Sequence, residues 1–219
     1  MSYATASSWV DALSIAMVAA SILALWTRSL GRLVLVLAVQ SSLLAVAGLV
    51  TGIATGDAQV VVAAVVVLAV KAVILPGLLW VVIERTAPTH AVEAYLGSRT
   101  SAALGIAVAL LLARLLAAQP FRTEIGADRV LATSVSLMVI GLMIMISRRQ
   151  AVAQIAGFLA LENGMALAAL TATYGMPLAI ELGVLFDLLI VVLVAFVYSR
   201  RIHAAFGSLD TQQLRKLRG

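Results

Sequence analysis

The chain has 219 residues, of which 63% are hydrophobic and only 11% are charged. A soluble domain is about one quarter charged, so this composition excludes a fold that faces water on all sides and indicates a protein surrounded by lipid. The net charge of +5 comes from Lys and Arg residues that lie between apolar runs, and it therefore predicts membrane topology and no nucleic-acid binding.

Seven apolar segments are long enough to cross a membrane. A spanning helix needs ~20 mostly apolar residues, because the hydrocarbon core is ~30 Å thick and each residue rises ~1.5 Å. The first segment lacks a basic start and a cleavage site, which indicates a retained helix and not a signal peptide. The sequence predicts an all-α polytopic membrane protein with seven transmembrane helices at Ser8–Trp26, Leu33–Ala54, Gln59–Ile83, Thr100–Ala118, Val130–Ser147, Ala151–Thr173 and Leu178–Tyr198.

The connections between these segments predict the orientation. The turns at 55–58 and 174–177 are short and contain turn-forming residues. With the N-terminus outside, eleven Lys and Arg residues lie on the inner side and two, Arg122 and Arg129, on the outer side. Because basic loops stay in the cytoplasm, this asymmetry predicts a multi-pass plasma-membrane protein, N-terminus outside and C-terminus inside. The chain then divides into a four-helix region at 1–129, a three-helix region at 130–201 and a basic cytoplasmic tail at 202–219.

Two carboxylates are predicted to lie deep in the membrane. Glu162 is eleven residues before the end of the sixth span and Asp187 is nine residues into the seventh, so they lie about 16 Å and about 14 Å from the turn between them. A charge near the bilayer centre costs ~2.5–3.5 kcal/mol and indicates a function by default. We expect the two carboxylates to face each other or a shared partner and to titrate as a coupled pair. Glu181 lies nearer the outer end, on a different face of the helix.

A lysine lies in the middle of the third span. Lys71 is followed one turn later by Pro76 and Gly77. Because proline has no N–H group, it frees the carbonyl of Ala72 and is expected to kink the helix, which predicts a polar pocket. A buried lysine close to buried carboxylates permits proton exchange.

Each of these residues also has a structural interpretation. The sequence is also consistent with a structural role for Glu162 or Asp187. Either residue then serves as a protonated carboxyl that only packs between helices, or as one half of a structural ion pair with Lys71. Glu181 and Arg114 fit interfacial anchors, since both side chains reach toward the headgroups. Polar side chains that fit interhelical hydrogen bonding are Gln40, Gln154 and Asn163.

Two stretches resemble the membrane subunit called hydrogenase-4 component E: AGFLALENG at 156–164, which follows the basic loop 147–149, and MPLAIELGVLFD at 176–187. The region 130–201 also resembles the three-helix K subunit of respiratory complex I and the C subunit of multisubunit cation/proton antiporters. In that superfamily one helix carries a glutamate after a basic loop and the next carries a second carboxylate. Glu162 and Asp187 match these positions, although Glu162 lies a turn farther from the loop and Asp187 is not a glutamate.

The resemblance implies a non-catalytic subunit of a complex I-like assembly, such as a group 4 type hydrogenase or a related oxidoreductase. In it Glu162 and Asp187 are exchangeable proton sites, and Lys71, Glu181 and Gln40 modulate or continue the path. The implied partners are antiporter-like membrane subunits and a subunit that anchors the soluble redox arm. Nickel–iron and iron–sulfur centres are expected in those partners. This chain has no cysteine, and both of its histidines lie outside the apolar runs, so no redox cofactor is expected in it.

The first three and the last three spans carry polar residues in a similar order. This order indicates a degenerate 3+1+3 parallel repeat, in which the fourth span joins the halves and Gln40 and Lys71 replace Glu162 and Asp187. The separations are twelve residues from Arg28 to Gln40, and thirteen from Arg149 to Glu162, from Lys71 to Glu84 and from Asp187 to Arg200.

The same residues fit two other functions. The chain fits a subunit of a multisubunit cation/proton antiporter or of an ion-driven uptake complex, which neighbouring hydrogenase genes would distinguish. It also fits a purely structural packing subunit, for which Glu162→Gln and Asp187→Asn would work normally. A retinal receptor is excluded because the seventh span has no lysine, and an intramembrane protease because no span contains HExxH or GxSxG.

Overall fold

The computed structural model describes residues 3–86, 97–117 and 127–173, together with four helical positions at 185, 189, 192 and 196. The regular structure in these ranges is helical, which confirms the predicted all-α class. The elements are α1 Tyr3–Trp26, α2 Leu30–Thr55, α3 Ala58–Val67, a π-helical segment Leu68–Ile74, α4 Leu75–Thr86, α5 Ser98–Ala117, α6 Ala127–Ser147 and α7 Ala151–Thr173.

Five helices within the described ranges are long and apolar enough to cross a membrane. They correspond to the first, second, third, fifth and sixth predicted spans, and the third combines α3, the π segment and α4. The fourth predicted span corresponds to α5, which is not among these five. The seventh, Leu178–Tyr198, lies outside the described residues apart from the four helical positions. Seven spans and their orientation therefore stay a prediction.

The turn between α2 and α3 has the chemistry that its sequence predicts. Gly56 adopts the left-handed conformation, with φ of 71°, where residues with a Cβ atom are disfavoured. The Asp57 side chain caps α3 by accepting hydrogen bonds from the backbone N–H groups of Gln59 at 2.8 Å and Val60 at 3.4 Å. This tight turn makes α2 and α3 antiparallel neighbours.

Two helical hairpins, α1–α2 and α6–α7, form the centre of the bundle, with α1 packed on α6 and α2 on α7. The α6–α7 contact is the most extensive, since Gly141 and Gly157 bring the two backbones together. A Cβ atom at Gly141 would lie 2.8 Å from the Gly157 carbonyl oxygen, and one at Gly157 would lie 2.9 Å from the Gly141 carbonyl oxygen. Small residues permit this approach, as in other membrane helix pairs.

An apolar cluster fills the end of the bundle where the α1–α2 and α6–α7 loops meet, which we call the hairpin-loop end. It contains Leu25, Leu33, Leu79, Ile144 and Ala156, one from each of α1, α2, α4, α6 and α7. A second cluster fills the core toward the opposite end, with members from α1, α2, α3, α6 and α7: Val10, Leu44, Val67, Leu137 and Leu167.

Polar side chains lie between these two clusters on four of the spans. Along each span, they occupy the positions between the last residue of one cluster and the first residue of the other. All are less than 6% exposed. We call this set the polar layer: Ser21 of α1, Gln40 and Ser41 of α2, Lys71 of the π segment, and Glu162 and Asn163 of α7.

Candidate functional site: a buried ion pair in the polar layer

An ion pair lies in the polar layer. Lys71 Nζ is 2.8 Å from Glu162 Oε1, and the two side chains are 4% and 6% exposed. The apolar cluster on either side keeps water away from both charges. The structure thus pairs two of the predicted site residues, Lys71 and Glu162. This ion pair is the alternative that the sequence permits to a contact between Glu162 and Asp187. Asp187 and Glu181 lie outside the described residues.

A neighbouring amide gives the ammonium a second oxygen. Lys71 Nζ donates to Asn163 Oδ1 at 3.5 Å, and Asn163 Nδ2 donates to Ser41 Oγ at 3.0 Å. Asn163 and Ser41 are 0% and 2% exposed. These contacts join the π segment, α7 and α2 through one set of polar atoms.

The second carboxylate oxygen of Glu162 has a different environment. Oε2 is buried and has no hydrogen-bond partner within the described ranges. A buried acceptor without a partner costs free energy, and more so when it carries charge. Glu162 therefore has one oxygen engaged by the ammonium and one available to a proton or to a donor.

The π-helical segment places Lys71. The N–H of Leu75 donates to the carbonyl oxygen of Val70, five residues earlier, directly before Pro76. The sequence predicts a kink at this proline, and the structure shows a wider turn over the seven residues directly before it, Leu68–Ile74. A wider turn accommodates both the missing N–H group and the bulk of the proline ring. Such π turns occur frequently at functional sites.

Gln40 also lies in the polar layer. Its Nε2 donates to Ser21 Oγ at 2.7 Å, and Ser21 Oγ donates to the Met17 carbonyl oxygen at 3.1 Å. This matches the predicted interhelical hydrogen bonding. Gln40 is adjacent in sequence to Ser41, but its own hydrogen bond leads to α1 and not to the ion pair.

Arg148 belongs to the basic loop that the sequence predicts on the inner side, and the structure shows it as a buried charge. It is 1% exposed, and its Nη2 donates to the carbonyl oxygen of Leu25 at 2.6 Å and of Ala24 at 3.5 Å. Burial lowers the pKa of Arg148 from its usual value. The guanidinium thus caps the C-terminal end of α1, where a cation is favoured. Arg148 and Arg149 are adjacent in the sequence, and nothing in the sequence indicates that only Arg148 is buried.

Asp11 is an acidic residue in the first span that the sequence analysis did not consider. Its Oδ2 lies 3.7 Å from Nη1 of Arg129, whose side chain is 80% exposed, while Oδ1 is buried without a partner among the residues described. The signal was present, since Asp11 interrupts an apolar run as Glu162 does. Arg114 is exposed on α5, and its reach toward the membrane surface stays a prediction.

Comparison with known proteins gives two kinds of relative. The chain is 36% identical to the uncharacterized protein Rv0085 of Mycobacterium tuberculosis over 220 aligned residues, which cover 100% of both chains. It is 28% identical to hydrogenase-4 component E of Escherichia coli and of Shigella flexneri over 148 residues, which cover 67% of this chain and 68% of theirs. The predicted resemblance to component E is confirmed as a distant similarity. No family model and no solved structure matches the chain.

Proposed function

We propose that this chain, which belongs to the same family as protein Rv0085 of Mycobacterium tuberculosis, is a non-catalytic subunit of a complex I-like membrane oxidoreductase. The distant similarity to hydrogenase-4 component E favours a hydrogenase-type assembly. In this proposal antiporter-like subunits and an anchor for the redox arm are its partners, and those other chains hold the nickel–iron and iron–sulfur centres. The chain itself contributes part of a proton path across or along the multi-pass bundle.

The observation that carries this proposal is the ion pair between Lys71 and Glu162. Its 2.8 Å separation is one hydrogen bond, so a proton on Nζ is already within reach of Oε1. Movement of that proton converts the charged pair to a neutral amine and acid without separating the side chains. Because both partners are buried and in contact, a proton gained or lost by one changes the charge that the other faces.

Glu162 has two oxygens with separate roles in this path. Oε1 faces the ammonium, whereas Oε2 has no hydrogen-bond partner in the part of the chain that the structure describes. A proton that arrives at Oε2 neutralises the carboxylate and weakens its attraction for the ammonium, which favours the loss of a proton from Nζ. One proton enters and one leaves, so the buried charge is conserved. Asp187, Glu181 and Gln40 are the further members proposed for the path.

The test is proton translocation by membrane vesicles that contain the assembled complex. We expect Glu162→Gln to lower translocation by at least about tenfold, the lower range for loss of a group that transfers protons, and Asp187→Asn to lower it as well. Assembly is checked in each variant by isolating the complex. Glu84→Gln is the matched control, because Glu84 is exposed and accepts a hydrogen bond from Trp80 Nε1 at 2.8 Å, outside the polar layer. Normal translocation by assembled Glu162→Gln complexes would establish a structural subunit instead.

A further inference from the structure

The Asn163 side chain has a fixed orientation in the polar layer. Its oxygen faces the Lys71 ammonium and its nitrogen faces the Ser41 hydroxyl. The ammonium has only donors, and so does the amide nitrogen. A reversed amide would therefore place donors against donors at Lys71. The Lys71 ammonium therefore sets the orientation of the amide, and the Ser41 hydroxyl, which accepts the hydrogen bond from Nδ2, holds the amide in place.

The orientation of the Asn163 amide matters because it directs an oxygen toward the Lys71 ammonium. Nζ lies 2.8 Å from Glu162 Oε1 and 3.5 Å from Asn163 Oδ1, so two oxygens of adjacent α7 residues hold it. When Glu162 gains a proton, the amide oxygen still holds the amine in place. Loss of the amide oxygen therefore removes one of the groups that position Nζ.

The hydrogen bond between Ser41 and Asn163 also sets the register of α2 against α7. These two residues are 122 positions apart in the chain, which is the separation of Gln40 and Glu162. In the proposed repeat they are equivalent positions, so the bond joins the two halves at the same depth. A slip of one residue would turn Glu162 by ~100° away from Lys71.

We propose that Asn163 and Ser41 are positioning residues for the ion pair, and that Ser41 acts on Lys71 and Glu162 only through the amide of Asn163. This inference rests on the proposed role of the pair in proton transfer, but its geometry is independent of that role. Among the residues described, Lys71 is the one charged side chain that faces Glu162; α1, α2, α4 and α6 contribute none to the polar layer.

The test uses the full-length chain in lipid vesicles and infrared spectroscopy. The carboxyl band that disappears in Glu162→Gln identifies Glu162, and its intensity against pH gives a midpoint. We expect Ser41→Val to move this midpoint by at least about half a pH unit, a threefold change in proton binding. Ser41→Thr has the same shape as Ser41→Val but keeps the hydroxyl, so it should retain the wild-type midpoint. Ser41→Ala removes the same hydroxyl without added bulk and serves if Ser41→Val fails to fold.

Two controls separate positioning from packing. Ser42→Ala should leave the midpoint unchanged, because Ser42 Oγ donates at 2.8 Å to the Ala38 carbonyl oxygen of its own helix. In a Lys71→Met background, Ser41→Val should cause no further change, because the group on which it acts is gone. A shift that is equal in both backgrounds, or an unchanged midpoint in Ser41→Val and Ser41→Ala, would overturn the inference.

The outcome is distinguishable from failure of the proposed function. If Glu162→Gln leaves proton translocation intact while Ser41→Val still moves the midpoint, the positioning role stands and the proton path does not. If translocation falls but the midpoint is insensitive to the Ser41 hydroxyl, the path stands and the positioning role does not.

Discussion

The ion pair between Lys71 and Glu162 has both a cost and a benefit for stability. Removing two charges from water is expensive, and their attraction offsets this cost only when they stay together. Each of the two side chains is less than 7% exposed, and the pair lies between two apolar clusters. Loss of one partner should therefore be more harmful than loss of both.

A double-mutant cycle on the free energy of unfolding checks this expectation. We expect Lys71→Met to lower that free energy by about 3 kcal/mol, because the Glu162 carboxylate is left buried without its cation. The double variant Lys71→Met with Glu162→Leu should be more stable than Lys71→Met alone. Additive losses, measured by denaturant unfolding in micelles, would show that the two side chains are not energetically coupled.

Arg148 is predicted to stabilise the fold and not to carry protons. Its bond to the Leu25 carbonyl oxygen joins the α6–α7 loop to the end of α1, so Arg148→Ala should lower the free energy of unfolding by about 2 kcal/mol. Arg149→Ala, in the same loop but exposed, should change it by less than about 0.5 kcal/mol. Equal effects of the two substitutions would argue against the cap.

The pH dependence of the Arg148 effect follows from its lowered pKa. The folded chain binds this proton less tightly than the unfolded chain does, so burial of the protonated group costs stability. That cost is constant wherever both states are protonated, and it diminishes only as the pH rises toward the folded-state pKa. Unfolding at several pH values near neutrality should therefore give the same difference between Arg148→Ala and the wild type.

The α6–α7 hairpin depends on backbone contact, and this positions Glu162. Gly141 on α6 touches Gly157 on α7, five residues before the glutamate. Gly141→Ala should therefore force the helices apart and cost about 1–3 kcal/mol of unfolding free energy.

Gly77→Ala is the matched control for this contact. No atom lies within 4 Å of a Cβ atom added at Gly77, and alanine favours a helix over glycine by about 1 kcal/mol. The control should therefore be neutral or stabilising. If Gly141→Ala is equally harmless, the close approach of α6 and α7 does not contribute to stability.

The π segment shows how an irregular element places a single side chain. Lys71 is the buried residue of this segment, and the wider turn before Pro76 changes its direction relative to an α-helix. Pro76 and the apolar residues around it predict an irregular helix here. They do not determine whether the helix bends or forms a wider turn. The π segment packs against α2, a contact that the sequence pattern does not specify.

The orientation of the whole bundle is testable because the chain has no native cysteine. We expect a cysteine introduced at Ala58, exposed at the α2–α3 turn, to react in intact cells with a membrane-impermeant maleimide. A cysteine at Thr27, at the hairpin-loop end, should react only after the cells are opened, because basic loops stay in the cytoplasm. The reverse labelling pattern would overturn the predicted topology.

The arrangement of the two hairpins concerns the predicted repeat, which stays a prediction. The hairpins α1–α2 and α6–α7 pack α1 on α6 and α2 on α7, and Ser41 bonds to Asn163 at the same register. The ion pair, in contrast, joins unlike positions, since Lys71 follows the first hairpin and Glu162 belongs to the second.

Hydropathy and segment length were sufficient to locate the first six predicted helices, and the central positions of Glu162 and Lys71 within their helices followed from the sequence. These properties are local, because a lipid-facing helix satisfies its own backbone hydrogen bonds. The pairing of Lys71 with Glu162, the orientation of Asn163 and the burial of Arg148 were decided only by tertiary packing. Each depends on which face a helix turns toward its neighbours, and in helices that are apolar on every side the periodicity of the chain does not encode that face.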